Sequence, residues 1–281
     1  MNTHTGDSNA LIRRDRVFDF LQSPYVENPD VDQGIILYME DVNKTFDGFR
    51  AISNLNFYVE RGELRCVIGA NGAGKTTMMD IITGKTRADT GVVWFGRNTN
   101  LQQLSEAEIA LAGIGRKFQK PTVFDVLTVK ENLELAMAGD KTVRWTLRCQ
   151  LRPEDLNEIE RVANIIGLQD QLRSAGGSLS HGQKQWLEIG MLLIQRPQLL
   201  LIDEPVAGMT HQEMEKTGEL LLQLAGDHTL VVVEHDMEFV RSIAARVTVL
   251  NQGTVMAEGS MDEIQSNADV RRVYLGDDQD T

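Results

Sequence analysis

The sequence predicts an α/β fold built on a mainly parallel sheet, with an antiparallel β portion and a helical insertion. Three observations carry that prediction. The short apolar runs "LRCVIGA", "QLLLID" and "TLVVVEH" have the length and texture of strands buried on both faces. Segments of helical periodicity lie between such runs, the alternation expected of parallel strands joined by helices. Nearer the N-terminus, "IILYMEDVNKTF", "AISNLNFYVERGEL" and "GVVWFG" read as further strands, the second alternating at Leu55, Phe57 and Val59 before a turn at Arg61-Gly62.

The 281 residues suit one large domain with room for a sizeable core. Residues 1–34 are polar and mixed in charge and read as a flexible or weakly helical extension, so the folded domain spans 35–281. From Leu101 to Gly190 the pattern is mostly helical, and residues from about 120 to 180 read as a helical subdomain. Between Leu101 and Gly190, Ser105 with Glu108, and Thr128 with Glu131, have capping-box spacing. "PEDLNEIERVANIIGL" continues as a helix stopped at Gly167. A helix around Gln212 to Leu224 follows the "QLLLID" strand. "RVTVLNQGTVMAEG" is a hairpin turning near Asn251 to Gly253, and Ser260 with Glu263 caps a last short helix.

A net charge of −13 argues against a nucleic-acid partner, which normally meets a basic surface. Cys66 lies in an apolar run and Cys149 among polar residues, and neither has metal-ligand or disulfide spacing. No apolar stretch approaches bilayer-spanning length, and Arg13-Arg14 has no apolar segment behind it to make an export signal.

"GANGAGKTT", Gly69 to Thr77, matches the P-loop pattern, with Gly69, Gly74, Lys75 and Thr76 at its fixed positions. Glycines let backbone amides close around phosphates. Lys75 reaches the β- and γ-phosphates, and the Thr76 hydroxyl is a ligand for Mg²⁺. "LLLIDEP" ends a buried strand on two carboxylates, a costly placement unless a cation or a polarised water meets them. Downstream of a P-loop, Asp203 suits the Mg²⁺ shell and Glu204 the attacking water. "SLSHGQ" makes Ser180 an N-cap before a helical run, a second anion-binding helix terminus in a chain that already has a phosphate loop. Taken singly, Gln119, His235 and Phe46 decide nothing. A His after a buried strand is usually structural, a Gln in a loop usually inert, and a Phe usually core.

In order, a P-loop, a loop Gln, "LSHGQ", "LLLIDEP" and a strand-terminal His resemble the ATP-binding subunits of ABC transporters. The resemblance covers about residues 35 to 276 and rests on five motifs. It implies a P-loop NTPase core with an antiparallel β subdomain and a helical subdomain, acting as an ATPase with Mg²⁺. It further implies that two subunits face each other and enclose ATP between the P-loop of one and the signature sequence of the other. By this resemblance Gly69, Asn71, Gly72, Ala73, Gly74, Lys75, Thr76 and Thr77 hold the triphosphate, and Phe46 stacks on adenine. Gln119 senses the metal and water, Asp203 serves the metal, Glu204 is the base and His235 reads the γ-phosphate. Ser180, Gly182 and Gln183 contact the nucleotide of the opposite subunit. Two positions depart from the pattern: Thr210 stands where an Asp usually ends the loop after "DEP", and His181 where a Gly is commonest. The first falls at a position that helps couple the two sites, while the His181 side chain is expected to face away from nucleotide.

"GIGRKFQKPTVFDVLTVKENLELAM", "EPVAGMT" and the terminal "VYLG" are similar to ATPases of the branched-chain amino-acid and amide importer group. "RKFQKPTVF" and "PVAGMT" most resemble urea importers. The implied partners are transmembrane permease subunits, a second ATP-binding subunit and, indirectly, a periplasmic solute-binding protein. The implied location is the cytoplasmic face of the bacterial inner membrane. A soluble ABC ATPase would normally show tandem cassettes or a long insertion, a P-loop kinase would leave "LSHGQ" unexplained, and an inert binding module would be expected to lose Glu204 or Lys75.

Overall fold

The computed structural model describes residues 34–119, 122–137 and 152–274. Residues 1–33, Cys149, part of the expected helical subdomain and the end of "VYLG" lie outside the described residues.

β1 (Ile35–Phe46) and β2 (Phe49–Glu60) form an antiparallel hairpin across a two-residue turn. That turn is Asp47-Gly48, with φ of 45° and 86°, the left-handed pair that matches strand twist. β3 (Leu64–Gly69) leads into the loop before α1 (Lys75–Ile82). β4 (Thr90–Phe95) then pairs with β1, and the short β5 (Thr99–Asn100) completes a four-stranded sheet in the order β2-β1-β4-β5.

After α2 (Glu106–Leu111) the chain returns to the sheet that holds β3, at β6 (Ile114–Lys117). α3 (Val129–Ala136), α4 (Pro153–Ile165) and α5 (His181–Leu193) pack together before β7 (Leu199–Asp203). α6 (His211–Leu224), β8 (Thr229–Val233), α7 (Met237–Ile243), the hairpin β9 (Arg246–Asn251) with β10 (Thr254–Gly259), α8 (Met261–Ser266) and α9 (Ala268–Tyr274) follow. The six strands run β10-β9-β3-β8-β7-β6, parallel throughout except where β10 folds back on β9.

Period-two alternation explains the unbroken apolar runs. Cys66 and Ile68 of β3, Leu200 and Ile202 of β7, and Leu230 and Val232 of β8 face the core shared with α4–α7. Val67, Leu199, Leu201, Val231 and Val233 face the core under α1 and the antiparallel sheet. Both faces are therefore covered, and each strand is apolar on both. Burial pushes the Cys66 thiol up to about 12, which fits a packing residue rather than a nucleophile. Arg65 is wholly buried in the same strand, where Glu63, Glu258 and the Thr248 hydroxyl meet its guanidinium.

The expected capping boxes at Ser105, Thr128 and Ser260 are present, and the hairpin turns at Gln252-Gly253 as its sequence predicts. β6 is a departure from the mostly helical reading of residues 101–190. Its four residues, "IGRK", hold a glycine and two cations, so no apolar run announces it. It is nonetheless a parallel partner of β7, with the Lys117 side chain fully buried near Glu188.

Register sets the site. Val67 of β3 lies opposite Val233 of β8, which lies opposite Asp203 of β7, and Lys117 of β6 lies opposite Ile202. The P-loop, the pair Asp203-Glu204, His235 and Gln119 thus all leave one sheet at its C-terminal edge, where open α/β sheets bind ligands.

Candidate nucleotide site

Beyond Gly69 the chain turns through Ala70 to Gly74 with φ of 83° at Gly72 and 103° at Gly74. A Cβ at Gly74 would stand 2.8 Å from the Ala51 carbonyl oxygen and 2.9 Å from Ile52 Cδ1, so both conformation and space require glycine. Ala73 is buried, and its carbonyl accepts from the Gly253 amide at 3.0 Å, which ties the loop to the β9–β10 turn. The loop is therefore a braced element. Side-chain oxygens cap α3, α5 and α6, but Gly74 brings none to α1. The N-terminus of α1 is thus left to an anion, with the helix dipole favouring negative charge.

Lys75 arches over the loop, its Nζ donating to Gly69 O at 2.6 Å and to Ala70 O at 3.1 Å. Burial lowers its pKa, opposed by the nearby Glu204 and Asp203 carboxylates. Thr76 is exposed and Thr77 half-buried in the first turn of α1, while Asn71 and Gly72 are exposed on the loop. Phe46, at the end of β1, is 43% exposed, with Lys44 Nζ 5.2 Å from its ring centroid. That open aromatic face can receive a planar base.

Asp203 and Glu204 differ in environment. Burial raises the Asp203 pKa, and the Arg116 guanidinium, 3.4 Å from Oδ2, draws it back down. Arg116 also binds Asp80 of α1, so one guanidinium ties the carboxylate of β7 to the P-loop helix. Glu204 has φ of 44°, a left-handed backbone unusual for a glutamate, fixed by its amide donating to Val233 O at 2.9 Å. Its side chain is met from two sides. Gln119 Nε2 donates to Oε2 at 2.5 Å, and His235 Nδ1 stands 3.6 Å from Oε1. Glu234, buried behind His235, accepts from the His235 amide at 2.9 Å, the Asp236 amide at 3.4 Å and the Val206 amide at 3.2 Å. Burial raises its pKa, and these amides oppose the shift. It holds the strand-end His and the loop after Glu204 in one frame.

The structure thus brings Gln119, Glu204 and His235 into contact and sets them on the strand edge that carries the P-loop and Asp203. The signature residues form a separate group. Ser180 caps α5, its Oγ accepting from the Gln183 amide at 3.2 Å while Gln183 Oε1 accepts from the Ser180 amide at 2.9 Å. Ser180 Oγ also donates to Glu213 Oε1 at 2.8 Å, and the Thr210 amide, this hydroxyl and the nearby Gly182 amide lower the pKa of that carboxylate. Among the described residues no hydrogen bond or ion pair joins this group to the P-loop. His181 reaches the loop after "DEP", with Nε2 3.1 Å from Ala207 O. Thr210 is the N-cap of α6 in a capping box with Glu213.

Three residues of this architecture escaped the sequence reading: Arg116, Glu234 and Glu213. Glu213 had a local signal, the T-x-x-E spacing of "THQE". Arg116 and Glu234 act on residues 87 and 28 positions away, which no local pattern reveals.

The donor set fits a hard divalent cation carried by phosphates, since the Asp203 carboxylate and the exposed Thr76 hydroxyl offer oxygen and no soft ligand. Among the described residues no helix is long and apolar enough to cross a membrane.

Comparison with known proteins identifies the family. A family model described as ABC transporter matches residues 52–207, and one described as branched-chain amino acid ATP-binding cassette transporter matches residues 254–280. The high-affinity branched-chain amino acid transport ATP-binding protein LivG of Escherichia coli (strain K12) is 33% identical over 251 residues, covering 86% of this chain and 98% of its own. Its counterpart BraF of Pseudomonas aeruginosa is 31% identical with the same coverage. An ATP-binding cassette of an ABC transporter, solved in its ADP conformation, superposes with a TM-score of 0.74 at 29% identity, over 86% of this chain and 99% of that one. A dimeric ATP-binding cassette in a post-hydrolysis state, bound to ADP and Pi, gives 0.67 at 26% identity, over 80% of this chain and 99% of that one.

Proposed function

This chain belongs to the ATP-binding subunits of ABC transporters, and from that premise we propose that it powers import of urea by hydrolysing ATP at a site shared with a second such subunit. It is an ATPase and an importer's ATP-binding subunit. The observation that carries the catalytic reading is the meeting of Gln119, Glu204 and His235 beside the P-loop.

In this reading the amides of the P-loop, from Gly69 through Asn71, Gly72, Ala73 and Gly74, cradle the phosphates. Lys75 swings from the loop carbonyls to the β- and γ-phosphates, and Thr77 adds a hydroxyl at the start of α1. Phe46 stacks on the adenine. Mg²⁺ would be held by the Thr76 hydroxyl and the Asp203 carboxylate, with Gln119 as its sensor, and would supply neutralisation of the phosphate charge. Glu204 orients the attacking water and takes its proton as the water oxygen bonds to the γ-phosphorus and the bond to the ADP oxygen breaks. The Gln119 bond fixes which carboxylate oxygen is free to do so. His235 reads the γ-phosphate, while Ser180, Gly182 and Gln183 serve the nucleotide of the opposite subunit.

The subunit works peripherally on the cytoplasmic face of the bacterial inner membrane. Its partners are permease subunits, a second ATP-binding subunit that is identical or related, and indirectly a periplasmic solute-binding protein. The urea reading rests on "RKFQKPTVF" and "PVAGMT". A second reading, branched-chain amino-acid import, is favoured by the names of LivG and BraF and by the family model over residues 254–280. Selection lies outside this chain, so the test is functional. In vesicles holding the permease and binding protein, ATPase activity should rise with urea and stay at baseline with leucine. Stimulation by leucine alone assigns the second reading.

A further inference from the structure

The carboxylate on the signature residues is the least expected contact in the molecule. Ser180 has one hydroxyl proton, and it is committed to Glu213 Oε1 at 2.8 Å. Gly182 lies directly against the same carboxylate. The fit is close, for a Cβ placed on Gly182 would stand 2.6 Å from that oxygen. The other oxygen, Oε2, accepts from the Thr210 amide and from the Thr210 hydroxyl, each at 3.0 Å. An anion therefore already sits on the Ser180 hydroxyl at the start of α5, and it is anchored to the loop that leads out of "DEP".

We propose that Glu213 is a built-in competitor for the γ-phosphate carried by the opposite subunit, occupying the Ser180 hydroxyl and the space against Gly182 until the nucleotide-bearing partner displaces it. The inference rests on the shared-site reading above. A hydroxyl proton cannot serve two acceptors at full strength, and two anions brought to one helix terminus repel. Docking of the partner therefore requires Oε1 to leave. Oε2 stays on Thr210, so the displacement is felt in the Ala207–Thr210 loop, which His181 also grips through Ala207 O. Thr210 lacks the carboxylate usual at that position, and Glu213 supplies one from the next turn of helix.

The test is the strength of the ATP-bound dimer. With full-length Glu204→Gln protein, which holds ATP without consuming it, the dimer dissociation constant is measured by sedimentation at saturating ATP and Mg²⁺, with and without Glu213→Gln. Gln still satisfies the capping box but carries no charge. The competitor role predicts a dimer about tenfold tighter in the double variant. The melting temperature of the monomer, measured alongside, should be close to that of Glu204→Gln alone. An equal or weaker dimer overturns the role and leaves Glu213 as a helix cap. Absence of an ATP-dependent dimer in Glu204→Gln, both alone and mixed with the related second ATP-binding subunit, overturns the shared-site reading, and this inference with it.

Discussion

Glu204→Gln is expected to bind ATP as the parent does and to hydrolyse it about 10²–10⁴-fold more slowly, the range for loss of a positioned general base. The substitution is nearly isosteric, so the left-handed backbone at Glu204 and its amide bond to Val233 persist. The amide side chain can still meet Gln119 on one side and His235 on the other. What it cannot do is accept the proton of the attacking water. The expected signature is a split, with nucleotide affinity kept and single-turnover hydrolysis lost. Normal turnover in this variant would remove Glu204 from the chemistry and leave Asp203 as the acid to examine.

Lys75→Ala should act on the other half of the split. Its ammonium is the one cation the P-loop brings to the phosphates, and its two present acceptors are backbone carbonyls of that same loop. A hydrogen bond to a charged group is worth about 1.5–3 kcal/mol, so ATP affinity should fall by roughly tenfold to a hundredfold. Fold stability should change little, because the loop is braced independently through Ala73 and Gly253. Titration with a fluorescent ATP analogue reads the first effect and urea unfolding the second. Unchanged affinity would mean the phosphates lie elsewhere.

The parts of this architecture that were legible in the sequence are those fixed by local chemistry. The P-loop shows because glycine, lysine and threonine must stand at set spacings. The capping boxes at Ser105, Thr128 and Ser260 show because both partners lie within one turn. The buried strands show because a sheet covered on both faces must be apolar on both. β6 did not show, since burial of Lys117 and Arg116 is made tolerable by carboxylates far along the chain. The same limit hid Arg116 as the tie between Asp80 and Asp203, and Glu234 as the brace behind His235. His181 was expected to point away from nucleotide, and its observed partner is the Ala207 carbonyl. The solute is illegible for a different reason, because nothing in phosphate chemistry depends on it.

Glu213 changes the meaning of the two departures from the usual pattern. Thr210 and His181 both make contacts that tie the signature helix to the loop after Glu204, Thr210 through Glu213 and His181 directly. Signature helix and loop are therefore joined by direct hydrogen bonds.

The central claim is that ATP is hydrolysed between two subunits and not within one. Its most direct test is the rate per subunit as a function of subunit concentration at saturating ATP and Mg²⁺. A shared site predicts a rate that climbs with concentration and saturates as the dimer fills. A rate per subunit that stays constant from the most dilute sample upward, in a protein sedimenting as a monomer, would contradict it.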